Sequence, residues 1–168
     1  GATANQLVPL FNTQKITLTS DVGSSAFDRT PYKYFWRMVA PDPVNGLAMA
    51  LWAKKKGYTR VALVFGSDTT AQTDLPGIQY GIQHLKLQVV SDITLTPDQP
   101  SYQSAAAQLL AANPQVIFTE EDAATAGTFF GGLAQLGTVP PIIGSSGTIE
   151  NAWLSAVRCG TAVMGTSP

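Results

Sequence analysis

The sequence predicts an α/β fold class: a doubly wound, three-layer αβα lobe with a parallel central sheet. Three observations carry this. Four short β-type runs, "VALVF" (61–65), "QVVSDI" (88–93), "QVIFT" (115–119) and "PIIG" (141–144), recur about every 27 residues. Segments of helical character lie between them. The runs are apolar through their length, as in strands buried on both faces of a parallel sheet. Crossovers between parallel strands are right-handed, which sets helices on both faces. The chain of 168 residues is 45% hydrophobic and 12% charged, so it can bury a core and is not of disordered composition.

In chain order, "QKITLTS" (14–20) reads as a strand with Ile16 and Leu18 on one face. The stretch 21–41 is a long connector, rich in turn residues and then aromatic, with room for a short strand in 32–40. Residues 42–58 read as a helix that Gly57 stops, and Lys54, Lys55 and Lys56 near its end complement the helix dipole. After strand 61–65, segment 71–86 places Leu75, Ile78, Ile82 and Leu85 on one helical stripe. His84, near the end of that segment, reads as a dipole or carbonyl partner rather than a catalytic group. The helix in 101–114 has Ser101 as N-cap and stops at Asn113, because Pro114 cannot continue it. The last helix, 122–137, starts on Asp122 as N-cap and ends at Gly137. No internal sequence repeat accompanies the period, so the rhythm is structural.

The net charge of −1 gives no field for nucleic acid or an anionic membrane. No apolar run reaches the ~20 residues of a membrane span, and no signal segment is visible. Cys159 stands alone and cannot form a disulfide within the chain.

Open parallel sheets bind ligands outside the carboxyl ends of their strands. Those ends carry Thr19 and Ser20; Ser67, Asp68 and Thr69; Glu120, Glu121 and Asp122; and Ser145, Ser146 and Thr148. Hydroxyls and helix-start amides suit a carboxylate, and the acids suit an ammonium. The same residue types cap helices, and Asp122 is explained by capping alone, whereas Glu120 and Glu121 are not. Enzyme readings find less support. "GSSGT" (144–148) lacks the closing Gly of a nucleophile elbow, and no His follows it. Phosphate-loop and dinucleotide fingerprints are missing. A magnesium site would have to combine the acids at 120–122 with Asp68. The expectation is a binding protein without cofactor or metal, not an enzyme.

The stretch "YFWRMVAPDPVNGLAMALWAKKKGYTRVALVFGSD" (34–68) resembles the centre of a type I periplasmic substrate-binding protein of the branched-chain amino-acid-binding group of ABC-transporter receptors. The resemblance continues through "VVSDITLTPDQPSYQSAAAQLLAANPQVIFT" and "LAQLGTVPPIIGSSG" and covers about residues 5 to 157. It implies two αβα lobes hinged around a ligand, in a chain roughly twice this length. Residues 1–59 would then be a remnant of lobe one with the hinge crossover, 60–157 lobe two, and 158–168 a tail or the start of the return to lobe one. The chain would be a fragment or a shortened homologue, and its partial lobe one makes self-association plausible.

By the same resemblance, Thr19, Ser20 and Ser24 would meet the ligand's carboxylate and ammonium from lobe one. Ser67, Asp68, Thr69, Glu120, Glu121, Asp122, Ser145, Ser146 and Thr148 would meet it from lobe two. The sequence departs from the family at "SDTTA", where an aromatic-Gly pair is common, and at "EED", where Gly or an aromatic is common. A polar amine or amino acid is therefore the expected ligand. An ABC permease is the implied partner, in the periplasm or outside the cell, with a lipid anchor as one option. A ligand-sensing regulatory domain of the same fold is the alternative. Lys86 stands where the family usually has Gly before the second strand of this lobe, which bears on a turn.

Overall fold

The computed structural model describes residues 2–145, 148, 150–157 and 163–165. Ser146 and Cys159, both singled out above, lie outside the described residues. The chain runs α1 (Ala2–Thr13), β1 (Leu18–Ser20), a short 3-10 turn (Ser25–Phe27), β2 (Phe35–Arg37), α2 (Asp42–Lys55), β3 (Arg60–Gly66) and α3 (Leu75–Leu85). It continues through β4 (Gln88–Leu95), α4 (Gln103–Ala111), β5 (Val116–Glu120), α5 (Ala123–Leu136), β6 (Ile142–Gly144), α6 (Asn151–Ala156) and β7 (Val163–Gly165).

Two parallel sheets result. β1 and β2 form the smaller, with Leu18 opposite Phe35 and Ser20 opposite Arg37. The larger has the order β4-β3-β5-β6-β7 and is parallel throughout. The strand order reverses at β3: β4 lies on one side of it and β5 on the other. That reversal is the topological switch point of a doubly wound sheet, where crossovers leave in opposite directions and open a crevice.

Alternation along the strands sorts the core into two halves. Val61, Leu63 and Phe65 of β3 and Val116 and Phe118 of β5 cluster with Met49, Ala50 and Ala53 of α2 and Ile78 of α3. Ala62, Val64 and Ile117 cluster on the other face with Ala106, Leu109, Phe129, Phe130 and Trp153 of α4, α5 and α6. Both halves are almost fully buried. The three-layer architecture follows. α2, grouped by the sequence reading with residues 1–59, shares its core with the sheet that follows it, because its small-residue face fits closely against α3. A Cβ at Gly77 would land on the Pro43 carbonyl oxygen, and one at Gly81 on the Ala50 side chain.

Turns out of the helices follow the sequence in two places and depart from it in others. Gly57 (φ 82°) and Asn113 (φ 48°) are left-handed, as stop signals require. Lys86 adopts the same conformation at φ 55° with no glycine to ease it. Gly137 is extended, not left-handed, since the chain leaves α5 directly toward β6. Ser101 precedes the cap by one residue: α4 is capped at Tyr102, while the Ser101 hydroxyl accepts from the Gln103 amide. The first strand is shorter than 14–20 because residues 14–16 close the end of α1, with the amides of Gln14 and Ile16 donating to the carbonyls of Leu10 and Phe11. α1 itself was not anticipated, since "GATANQLVPLF" carries Pro9 and no cap signal. It is held by Val8, which is buried with Val22, Phe27 and Phe35.

Candidate functional site

A cavity of about 520 Å³ opens between the end of β1 with the loop after it and the end of β5. One wall comes from α1's first turns and from the loop after β1, with Ser20, Asp21 and Ser24. The other comes from the start of α2 (Asp42, Asn45), the loop before α3 (Thr69, Asp74) and the end of β5 (Glu120). The two walls are tied together: the Asp42 amide donates to the Gly23 carbonyl oxygen at 2.8 Å. Arg37 braces the first wall, bonding Asp28 at 2.7 Å and the Ser24 carbonyl at 3.2 Å.

The two glutamates at the end of β5 part company here. Glu120 has the strand parity of Val116 and Phe118, which face α2 and α3, and it lines the cavity. Its carboxylate accepts a hydrogen bond from the Ser145 hydroxyl. Glu121 has the parity of Ile117 and Thr119, is 7% exposed, and accepts from the Thr119 hydroxyl at 2.9 Å. Burial pushes its carboxyl up to about 8, against the Thr119 hydrogen bond and with help from the charges of Asp122 and Glu120. Asp122 caps α5, accepting from the amides of Ala124 and Thr125 at 2.9 Å each. Burial works against its ionisation, but the hydrogen bonds from Thr125 and Ala124 prevail and hold its carboxyl below the usual carboxylate range.

The other expected residues divide as follows. Ser20, Ser24 and Thr69 line the cavity beside Glu120. The hydroxyl oxygens of Ser20 and Ser24 accept from the Val22 and Ala26 amides, which leaves their O–H groups to donate. Ser145 and Thr148 are buried behind the wall, where the Thr148 hydroxyl donates to the Ser145 carbonyl at 2.8 Å. Thr19, Ser67 and Asp68 are exposed and outside the lining, and Asp68 accepts from the amides of Thr70 and Ala71 in a tight turn. Among the described residues, no group of three His, Cys, Asp or Glu side chains is placed to hold a metal ion. His84 is exposed, stacked on Tyr80 at 3.8 Å with Nδ1 2.8 Å from the Tyr80 carbonyl oxygen.

Sequence reasoning placed Asp21 at the end of the first strand without assigning it to the site, and it missed Asp42, Asn45 and, above all, Asp74. Asp74 is 1% exposed, and its Oδ2 has no hydrogen-bond partner among the described residues. Burial, contact with the Glu120 carboxyl, and the charges of Glu120 and Asp42 push it up to about 9, with the Ser145 hydroxyl acting in the opposite sense. Its place at the start of α3 favours the anion by only about 0.3–1 kcal/mol, less than one pK unit. A signal was present: Asp74 directly precedes Leu75-Pro76, and Pro early in a helix marks the start. Reading the helix from Ala71 hid it inside the first turn.

Among the described residues, the cavity's titratable side chains, Asp21, Asp42, Asp74 and Glu120, are all acids, and no Lys, Arg or His lines it. It can compensate a cation through carboxylates, and hold a polar or anionic tail through hydroxyls.

A sequence profile of the family described as periplasmic binding protein matches residues 1–165. No curated protein matches significantly. Many solved structures share the fold. A leucine binding protein from Thermotoga maritima superposes with a TM-score of 0.81 at 17% identity, over 94% of this chain and 45% of that one. A branched-chain amino acid ABC transporter protein from Thermus thermophilus with bound valine gives 0.80 at 14% identity, over 94% and 42%. An ABC transporter solute binding protein from R. palustris in complex with benzoate gives 0.77 at 20% identity, over 94% and 44%. The chain spans less than half the length of each of these three.

Proposed function

The chain belongs to the periplasmic binding protein family, and from that premise we propose that it captures a small solute bearing a protonated amine, an amino acid or a polar amine. The observation that carries this reading is a cavity whose charged lining is, among the described residues, acidic only, with one carboxyl buried and an oxygen of it unpartnered there. An ammonium offers three donors and the charge that such a wall lacks. The free O–H groups of Ser20 and Ser24 would serve a carboxylate at the opposite side. The similar structures are described with leucine, valine or benzoate, ligands with an apolar body. The carboxylates at this cavity favour a more polar one.

In a protein of the length of those structures, residues 1–59 would belong largely to a first lobe and 60–157 to a second, α2 packing with the second. Closure of the lobes would present the solute to an ABC permease, in the periplasm or outside the cell. Closure is driven by whatever free energy the solute contributes differently to open and closed states. Selectivity comes from polar groups left unpaired by a wrong solute.

The test is calorimetric titration with amino acids and diamines against their uncharged isosteres. Glu120→Gln removes a charged partner of the ammonium, a loss of about 2–5 kcal/mol, with each 1.4 kcal/mol being about tenfold in Kd. The same change at Glu121, behind the wall, leaves affinity within about threefold of wild type. Equal binding of the uncharged isosteres, or full affinity in Glu120→Gln, refutes the reading.

A further inference from the structure

We propose that Asp74 and Glu120 share one proton and release it to solvent as an ammonium group docks between them, so that solute capture is an exchange of a cation for a proton. The inference rests on the reading that this cavity takes an ammonium-bearing solute.

The geometry supports it from three sides. Asp74, at the start of α3, is 1% exposed, yet it forms part of the cavity wall. Its Oδ2 has no partner among the described residues, so the pocket retains one buried acceptor that only a ligand or a proton can serve. Glu120, at the end of β5, lies on the same wall and accepts a hydrogen bond from the Ser145 hydroxyl. A buried carboxyl beside a second, part-buried one cannot readily ionise as well without a cation, so the pair holds a single proton. The raised value for Asp74, with Glu120 among its causes, agrees.

The charged surroundings come from each packed element. Asp42 stands in the first turn of α2, and Asp21 in the loop after β1, both on the cavity wall. They add negative charge and hold the proton more tightly. α1's first turns contribute only uncharged side chains to the lining, and so does the loop before α3 apart from Asp74 itself. Among the described residues, no basic side chain lines the cavity to replace the proton.

The balance of the step is simple. Before capture, the pair carries one proton and one negative charge. After capture, both carboxylates are ionised, the ammonium is bound and one proton has left, so the net charge of the site is unchanged. Keeping that charge constant limits the electrostatic cost in a poorly hydrated place. Affinity then rises about tenfold per pH unit, up to the value at which the pair loses its proton unaided.

The experiment uses this chain with 1,4-diaminobutane as probe. Calorimetry in phosphate and in Tris, from about pH 6 to about pH 9, reads the protons released from the dependence of the heat on the buffer's ionisation enthalpy. About one proton per probe is expected at neutral pH, and none in Asp74→Asn, whose affinity becomes flat with pH. Infrared spectroscopy without the probe supplies a second readout in Glu121→Gln, which removes the other raised carboxyl: a protonated-carboxyl C=O band that persists at neutral pH and titrates well above the usual carboxylate range. Absence of that band overturns the exchange, even if no Asp74 variant folds. Binding of the probe without proton release overturns the exchange and leaves the ammonium reading standing. No binding of the probe, with the band present, overturns both.

Discussion

Replacing Asp74 with Asn, its uncharged isostere, should make the protein more stable at neutral pH and leave it no more stable, or less so, in acid. Asp74 is buried at 1% exposure with its folded pKa raised from 3.8 to about 9. Between those values the folded state holds one more proton than the unfolded state, so stability falls as pH rises, by about 1.4 kcal/mol per unit. The contribution is fully present below pH 3.8 and is gone above about pH 9. Keeping the proton on at pH 7 therefore costs roughly 4 kcal/mol relative to free aspartic acid. Asn is neutral without that cost, but it carries an extra N–H, and leaving that donor unpaired costs about 1–3 kcal/mol. The net gain at pH 7 is roughly 1–3 kcal/mol, and at about 2–4 °C per kcal/mol for a domain of this size Tm should rise by several degrees. At pH 4 the gain vanishes and the unpaired donor leaves the variant equal to or below wild type. Thermal unfolding of both proteins at several pH values reads this crossing. Glu121, pushed up to about 8 by burial, gives wild type and variant the same additional loss of stability with pH, and so cancels in the comparison. A difference in Tm that stays constant from pH 4 to pH 8 would falsify the account, because it would mean that Asp74 is ionised in the folded state throughout.

Two further predictions concern the scaffold. Gly77→Ala sets a methyl group on the Pro43 carbonyl where α2 and α3 cross, and should cost about 1–3 kcal/mol or more by denaturant unfolding; an unchanged midpoint would show that the helices can separate freely. Lys86→Gly relieves a left-handed non-glycine residue at φ 55° and should add up to about 1 kcal/mol in the same assay, whereas a loss would mean that the lysine side chain makes a contribution of its own.

Much of the scaffold was legible because it is written locally. β3, β5 and β6 fell within two residues of their apolar runs, and β4 ran two residues past its run. Asp122 caps α5 because a short acid before a helical run binds the nearest amides, an effect that needs no distant partner. The unanticipated α1 illustrates the converse. Its pattern is weak and contains Pro9, and it is fixed by Val8 packing on Val22, Phe27 and Phe35, residues that only the folded chain brings to it.

The sequence by itself determined that a parallel, doubly wound sheet forms, and that its chemistry collects at the carboxyl ends of the strands. Strand alternation also required Glu120 and Glu121 to point to opposite faces. Tertiary structure alone decided which face holds the cavity, since that depends on where α2 and α3 cross beneath the loop after β1. It also decided the acid that matters most beside Glu120. Asp42 and Asp74 begin two helices far apart in the chain, and each reads locally as a helix-start residue. They become one electrostatic unit with Glu120 only at the switch point of the sheet, where burial removes the water that would otherwise keep their charges independent.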